Sequence, residues 1–485
     1  MRRILTTLAG SVGAVLALVG LALAGGPTMA LGAAEDAVRA PDLVTAKAKM
    51  TELRLAGMTA VRVTSNWRPG LTAPTAGELE ILHNVEAAAR LSGVKVYVSV
   101  YSPGSATTPL DPVAQTQFAQ YAAALAVALP SFDDIIVGNE PNLNRFWLPQ
   151  FAPDGSIASA PAYLGLLAKT YDALKAVDPA LRVWGGAVSP RGSDRPEGIR
   201  PTTSPTAFIQ SLGTAYRASG RTLPVMDGFA FHPYPDNSSV SPDLPHPRST
   251  SIGLADYGKL VSLLGTAFDG TGQQGSSLPI LYDEFGIEAT IPAGKASLYT
   301  GTEPTTTKPV DEYQQAAAYD LGLRLAFCQP TVAGVLLFHS QDESALLSWQ
   351  SGVYYADGTP KSSLPAVRDS LDRTRGGSIA RCEGLALDVR LTNVRFPGPK
   401  EFTGGKRDTH FRCTLDCRWE LKATRTTNGA VAATVRGYAR YGRTSVASLT
   451  GRKLGTAPLR LQLTVTQAVN PGASASRQSG ELRPQ

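Results

Sequence analysis

The chain has 485 residues, more than one compact domain of ordinary size holds, so two domains are predicted. A content of 43% hydrophobic and 18% charged residues suits a folded protein with a real core and excludes global disorder. The formal charge of +6 comes with no dense Lys/Arg block interleaved with aromatic residues, which argues against nucleic acid as a partner.

At the N-terminus, Arg2-Arg3, an uncharged run from Ile4 to Ala24 and the small-x-small site Ala22-Leu23-Ala24 predict an export signal over residues 1–26. The run is long enough to serve as a retained anchor, but its Gly and Thr content favours cleavage, with no stable membrane insertion afterwards. Either way the body of the protein is expected outside the cytoplasm.

From 27 to 371 short β-rich runs alternate with longer amphipathic stretches. Strands are predicted at 28–32, 60–65, 94–101, 134–140, 182–189, 227–234, 279–286 and 334–340. Helical stretches lie between them at 43–57, 76–92, 112–129, 161–177, 205–219, 253–268 and 311–328, with a last one near 361–371. Eight strands alternating with helices predict an α/β fold, a (β/α)8 TIM barrel. The long irregular loops at 190–204, 235–252 and 287–310 follow strands, the side on which such barrels carry their sites.

Residues 372–380 read as a linker, 381–475 as a smaller C-terminal all-β, sandwich-like domain, and 476–485 as a disordered polar tail. Export makes the four cysteines candidates for disulfides. Cys413 and Cys417 are four apart and suit only a small local loop, which leaves Cys328 to pair with Cys382 and tie the two domains together. A metal site on these cysteines is not expected, since no second close pair exists and only His410 lies nearby.

Two of the apolar runs end in acids. Glu140 closes "DIIVGNE" and Glu284 closes "PILYDEFG", although a carboxylate beside a buried strand costs free energy unless it is paired, hydrogen-bonded or used. Strand ends on one barrel face can bring two carboxyl groups to about 5–5.5 Å, the separation that retaining glycoside hydrolysis needs. In such pairs one group stays protonated as the acid while the other stays ionised as the nucleophile. By strand alternation Asp283 should point away from the barrel axis if Glu284 points in. Trp67, Tyr101, Trp147 and Trp349 are candidates for stacking on a sugar ring, while Arg145, Arg191, Arg195 and Arg200 read as solvated surface charge.

Asn139-Glu140-Pro141, the "FHPYP" run at 231–235 and Glu284, in that order, resemble the clan A glycoside hydrolases, the retaining TIM-barrel group that includes family 5 cellulase-like enzymes and family 39. The resemblance covers roughly residues 27–370. It implies Glu140 as acid/base, Glu284 as nucleophile and Asn139 as donor to the sugar 2-hydroxyl. It also implies His232 and Tyr234 in the substrate site, with Tyr234 hydrogen-bonding the nucleophile and Arg62 keeping Glu284 ionised. The chain departs from the group at strand 8, where Phe338-His339 stands in place of a Trp platform; Trp349 or Trp147 would supply it. The implied protein is a secreted, monomeric enzyme acting on a carbohydrate, with β-linkages expected. It needs no metal or organic cofactor, because two carboxyls and a water complete the cycle.

Overall fold

The computed structural model describes residues 25–382 and 387–484; of the expected signal segment, residues 1–24 lie outside them. The first half of the barrel runs β1 (Ala30–Ala34), α1 (Leu43–Leu55), β2 (Ala60–Asn66), α2 (Ala76–Ser92), β3 (Lys95–Tyr101), α3 (Pro112–Ala128), β4 (Asp134–Val137) and α4 (Ser159–Val177). The second half runs β5 (Arg182–Val188), α5 (Pro205–Ala218), β6 (Gly228–Phe231), α6 (Tyr257–Phe268), β7 (Ile280–Phe285), α7 (Glu312–Phe327), β8 (Val332–Phe338) and α8 (Leu364–Arg375). All eight strands are parallel, and β1 pairs with β8 to close the barrel. Side-chain oxygens of Asp42, Thr75, Asp111, Ser204 and Asp311 accept from backbone N–H groups in the first turns of α1, α2, α3, α5 and α7, where no intrahelical acceptor exists.

Strand alternation divides the apolar residues into two cores. Tyr97, Ile136, Trp184, Ala230, Leu281 and Leu336 fill the barrel interior. The opposite strand faces pack against the helices in a larger core that includes Val61, Val98, Ile135, Phe229 and Tyr282. One contact sets how closely β1 and β2 approach: a Cβ on Gly32 would lie 1.8 Å from the carbonyl oxygen of Ala60. Among the described residues no helix is long and apolar enough to cross a membrane.

The C-terminal domain contains β9 (Leu391–Arg395), the short α9 (Pro399–Thr403), β10 (Asp408–Cys413), β11 (Cys417–Arg425), β12 (Val431–Ala439), β13 (Ser445–Ser448), β14 (Leu459–Gln467) and β15 (Ser474–Leu482). They form two antiparallel sheets, ordered β13-β10-β9 and β12-β11-β14-β15. Inward Leu421, Leu461, Leu463 and Val465 from one sheet and Phe411 and Ala447 from the other are all buried. Trp419 lies 6.0 Å from the Phe411 ring and covers Gly437, where a Cβ would come within 2.4 Å of the indole.

Two boundaries differ from the sequence expectation. Residues 476–485 were expected as a disordered tail, yet Ser474–Leu482 is an edge strand paired antiparallel with β14. Its polar residues hide the strand because an edge is held by the backbone ladder and presents polar side chains to water. The linker expected at 372–380 is helical as far as Arg375: Thr374 is buried, and Arg375 donates to the carbonyl of Gly57 at 2.6 Å. The segment beyond is stitched to the second domain, since Asp416 N–H donates to the Gly376 carbonyl (2.7 Å) and Gln467 to that of Gly377 (2.6 Å). Cys328 is bonded to Cys382 across the two domains, and Cys413 to Cys417 within the second.

Candidate active site

Glu140 stands three residues beyond the end of β4, not at its last position. Gly138 (φ 89°) and Glu140 itself (φ 41°) turn the chain sharply, and the Glu140 N–H donates to the Ala187 carbonyl at 2.8 Å. A glutamate in the left-handed region is held there by its surroundings. Asn142 does much of the holding: its amide donates to the carbonyls of Ser189 and Thr203 and accepts from the Ser189 N–H. Tyr163 adds a second brace, donating to Val137 and accepting from Gly186, each at 2.7 Å. The acid is thus mounted on a loop pinned to β5.

Glu284 reaches the same mouth by another device. Between Tyr282 and Phe285, β7 takes three steps while β8 takes two, from Val335 to Leu337. This extra residue is a bulge, which breaks the inward–outward alternation. Asp283 shares the inward parity of Leu281, and the bulge turns Glu284 inward as well. The expectation that Asp283 points away from the axis is therefore wrong. Its carboxylate is fully buried, 3.2 Å from Arg62 Nη1 and 3.4 Å from His232 Nε2.

Arg62, on the inward face of β2, joins three groups: Nη1 meets Glu284 Oε1 at 2.6 Å and the Asp283 carboxylate, and Nη2 donates to Asn139 Oδ1 at 2.8 Å. Because a guanidinium can only donate, this bond turns the Asn139 NH2 away from it. Tyr234 donates to Glu284 Oε2 at 2.9 Å. His232 Nδ1 lies 3.0 Å from Glu140 Oε1 and 3.4 Å from Glu284 Oε2. Oxygens of Glu140 and Glu284 come within 4.8 Å of one another.

His232 has no exposed surface, so it is not in reach of a substrate as expected but lies beneath both carboxylates. Burial lowers its pKa, yet Glu284 and Asp283, with hydrogen bonds to Asp283 and Glu140, overcome that and push it up to about 10. Burial likewise opposes the charge on Asp283, but His232 and Arg62 outweigh it and hold the carboxyl below its ordinary range. Burial and the Glu284 and Glu140 carboxylates raise the Tyr234 hydroxyl well above its ordinary value, which keeps it a donor. Glu140, His232 and Glu284 have the spacing of a cation site. In the arrangement shown, His232 Nδ1 faces these two carboxylates and Nε2 faces Asp283.

A cleft of about 560 Å³ opens above these groups, lined among others by Arg62, Tyr101, Asn139, Glu140, Tyr234, Glu284 and Trp349. Of the aromatic candidates, Tyr101 and Trp349 line it, and the half-buried Trp349 lies 4.9 Å from the Tyr234 ring and 5.2 Å from that of Phe338. Trp147 and Trp67 do not. Trp147 is 4% exposed and packs edge-on against Tyr163, and Trp67 is fully buried against Phe118 with its indole N–H on the Leu71 carbonyl. Both serve the outer core, which draws on large aromatics as readily as a sugar site does. Arg145 and Arg191 line the cleft, whereas Arg195 and Arg200 are exposed outside it. The role of Asp283 was not legible, because a bulge has no composition of its own.

No protein-family model matches the chain, and no curated protein does. Among solved structures it is similar to a β-glucuronidase of Bacteroides uniformis, at 12% identity over 95% of this chain and 47% of that one, with a TM-score of 0.44. It is also similar to a GH5_18 enzyme from Streptomyces cattleya in complex with GlcNAc (20% identity, 72% of this chain, 81% of that one, TM-score 0.48). A third likeness is to the GH39 enzyme from Xanthomonas axonopodis pv. citri (14%, 89%, 94%, 0.47). The chain spans less than half the length of the Bacteroides uniformis chains it matches. At 12–20% identity these likenesses assign no residue a role, and the chemistry rests on the geometry above.

Proposed function

We propose that the chain is an exported glycoside hydrolase that cleaves O-glycosidic bonds, β-linked ones foremost, by double displacement with retention of configuration. The observation that carries this reading is the pair of carboxylates whose oxygens approach within 4.8 Å at the barrel mouth, each in a different setting. Glu284 is held by a guanidinium and a phenol, Glu140 by an imidazolium that it shares.

In the first step a Glu284 oxygen attacks the anomeric carbon while Glu140 gives its proton to the departing glycosidic oxygen. The bond to the leaving group breaks as the glycosyl ester to Glu284 forms. In the second step Glu140, now a carboxylate, takes a proton from water, which attacks the same carbon and releases Glu284. Arg62 and the Tyr234 hydroxyl hold Glu284 in one rotamer and stabilise its charge at the start and end of the cycle. The Asn139 NH2, turned away from Arg62, is the donor for the sugar 2-hydroxyl, and Trp349 is the platform on which the ring rests.

Both disulfides support an oxidising compartment, and with it export. The packing of Trp419 against Phe411 and Gly437 supports a structural role for the second domain. The protein is proposed to act as a monomer.

The test is Glu284→Gln assayed on activated aryl β-glycosides. The fold should survive, and turnover should drop by about 10⁴-fold or more, because a neutral amide cannot form the ester. A variant that keeps more than a few per cent of the rate overturns the nucleophile assignment. A wild-type protein inactive on every glycoside, yet binding glycans, makes the barrel a carbohydrate-binding module instead.

A further inference from the structure

The cleft does not end at the Tyr234–Trp349 pair. A side pocket of about 250 Å³ continues past it, sharing Arg191, Tyr234 and Trp349 with the cleft. Its other walls come from the loop after β6 (Asn237, Ser238), the segment after β7 (Gly286, Glu288) and the strap carrying Thr306 and Thr307. These loops are tied to one another. Ser238 N–H donates to the Thr307 carbonyl (3.1 Å), Glu288 N–H to Ser238 Oγ (3.0 Å), and Val310 N–H to the Glu288 carbonyl (3.0 Å). The pocket is built before any ligand arrives.

Its chemistry is unusual at one residue. Glu288 is 7% exposed, and its buried Oε2 has no hydrogen-bond partner among the described residues; Glu303 Oε1, nearby, is in the same condition. A buried carboxylate without a partner costs several kcal/mol on the order of a lost ion pair, so such a group stays protonated or awaits a ligand. Burial and the neighbouring Glu303 push the Glu288 pKa up to about 8, which makes it a neutral carboxylic acid at neutral pH, able to donate as well as accept. The remaining polar side chains of the wall are hydroxyls, the Asn237 amide, the Trp349 indole and a second carboxyl group, that of Asp236. The one cation, Arg191, has its Nη1 committed to the Pro235 carbonyl and close to Asp236. An acidic sugar would meet carboxyl groups here, and a neutral polyol would meet donors and acceptors.

Position gives the pocket its place along the substrate. Glu140 and Glu284 both line only the main cleft, but the side pocket is walled by Tyr234, which donates to Glu284, and by Gly286 two residues beyond it, whereas Leu143 and Phe146, the neighbours of Glu140, do not reach it. The leaving group departs beside the acid, so the side pocket faces the part of the substrate that stays on the enzyme.

We propose that this side pocket is a second sugar subsite, which takes an uncharged sugar unit attached to the one being cleaved and hydrogen-bonds its hydroxyls through Glu288. The proposal rests on the hydrolase reading above and extends it to substrate class: neutral oligosaccharides with at least two units on the retained side.

The experiment compares kcat/KM for aryl β-glycosides of neutral monosaccharides with those of the corresponding neutral disaccharides, and with disaccharides whose terminal unit is a uronic acid. Wild type should favour the neutral disaccharide over the monosaccharide by about tenfold or more, the worth of one or two hydrogen bonds, and should not favour the acidic one. Glu288→Ala should bring the ratio close to one. Thr306→Trp, which fills the pocket from its exposed rim, should do the same, so the test does not depend on Glu288→Ala folding. A wild-type ratio near one, or a ratio unmoved by both substitutions, overturns the subsite and leaves the hydrolase standing. A protein that cleaves no glycoside, yet binds a neutral oligosaccharide in calorimetry with an affinity that Thr306→Trp removes, overturns the hydrolase and keeps the subsite.

Discussion

His232 touches three carboxylates and no solvent, so a change in its charge acts on all three. Its partner Asp283 supplies much of the opposing charge, so Asp283→Asn should lower the His232 pKa from its value of about 10. The upper limb of the pH dependence of kcat/KM should then move to lower pH, and NMR titration of His232 should move with it. A shifted histidine with an unshifted rate profile would show that its charge does not matter to turnover. The stability consequence has a definite sign. A histidine whose folded pKa lies above the ordinary value near 6.5 contributes stability that is whole below that pH and lost as pH rises through about 10. Tm should therefore fall more steeply over that interval in wild type than in His232→Gln. At Glu140 the prediction turns on the leaving group, since an acid is needed in proportion to how poor it is. Glu140→Ala should slow cleavage of natural glycosides by about 10²–10⁴-fold and spare bond-breaking with activated aryl groups. Azide, occupying the vacated space, should restore turnover and yield a glycosyl azide of retained configuration; an inverted product would rule out Glu140 as the acid/base of a retaining mechanism.

Among the elements, β7 and β1 show how little freedom the barrel has. The bulge in β7 delivers two neighbouring acids to one interior, which a regular strand cannot do. In β1 the close approach to β2 leaves no space for a methyl group at Gly32, whose Cβ would fall 1.8 Å from a backbone oxygen. Gly32→Ala should cost about 1–3 kcal/mol or more, since backbone must shift rather than a flexible side chain, and chemical denaturation would measure it. A change below about 0.5 kcal/mol, the usual range at undemanding sites, would mean the strands separate easily. The strands and helices of the barrel were legible because each carries its own apolar period. The last strand, β15, was not: its one buried hydrophobic residue is Leu482, and it is held by pairing with β14.

For the whole molecule the question is whether the second domain stabilises the first. The Cys328–Cys382 bond closes a loop with a sequence separation of 54 and runs from the end of α7 to the stretch before β9. Restraint of a loop of that length is worth about 2–4 kcal/mol. The double substitution Cys328→Ser and Cys382→Ser should lower stability by that amount in denaturant unfolding while leaving activity at room temperature near wild type, because neither cysteine touches the cleft. Loss of activity in a fully folded variant would instead mean that the second domain positions the β8 side of the site.

The barrel, the order of its strands and the places of Glu140, Glu284 and the His-x-Tyr run after them were legible in one dimension, because each is written in residues adjacent along the chain. The tertiary structure alone decided the rest. Trp349 lines the cleft while Trp147 is buried in the outer core, although both follow strands and look alike in sequence. Glu284 joins Asp283 on the inward face only because of a register shift against β8, whose Val335 pairs with Tyr282. Glu288 became the wall of a pocket only when three loops from separate parts of the chain closed around it. Periodicity is local and survives in one dimension, whereas register, burial and the meeting of loops are properties of pairs of segments that a single stretch of sequence does not carry.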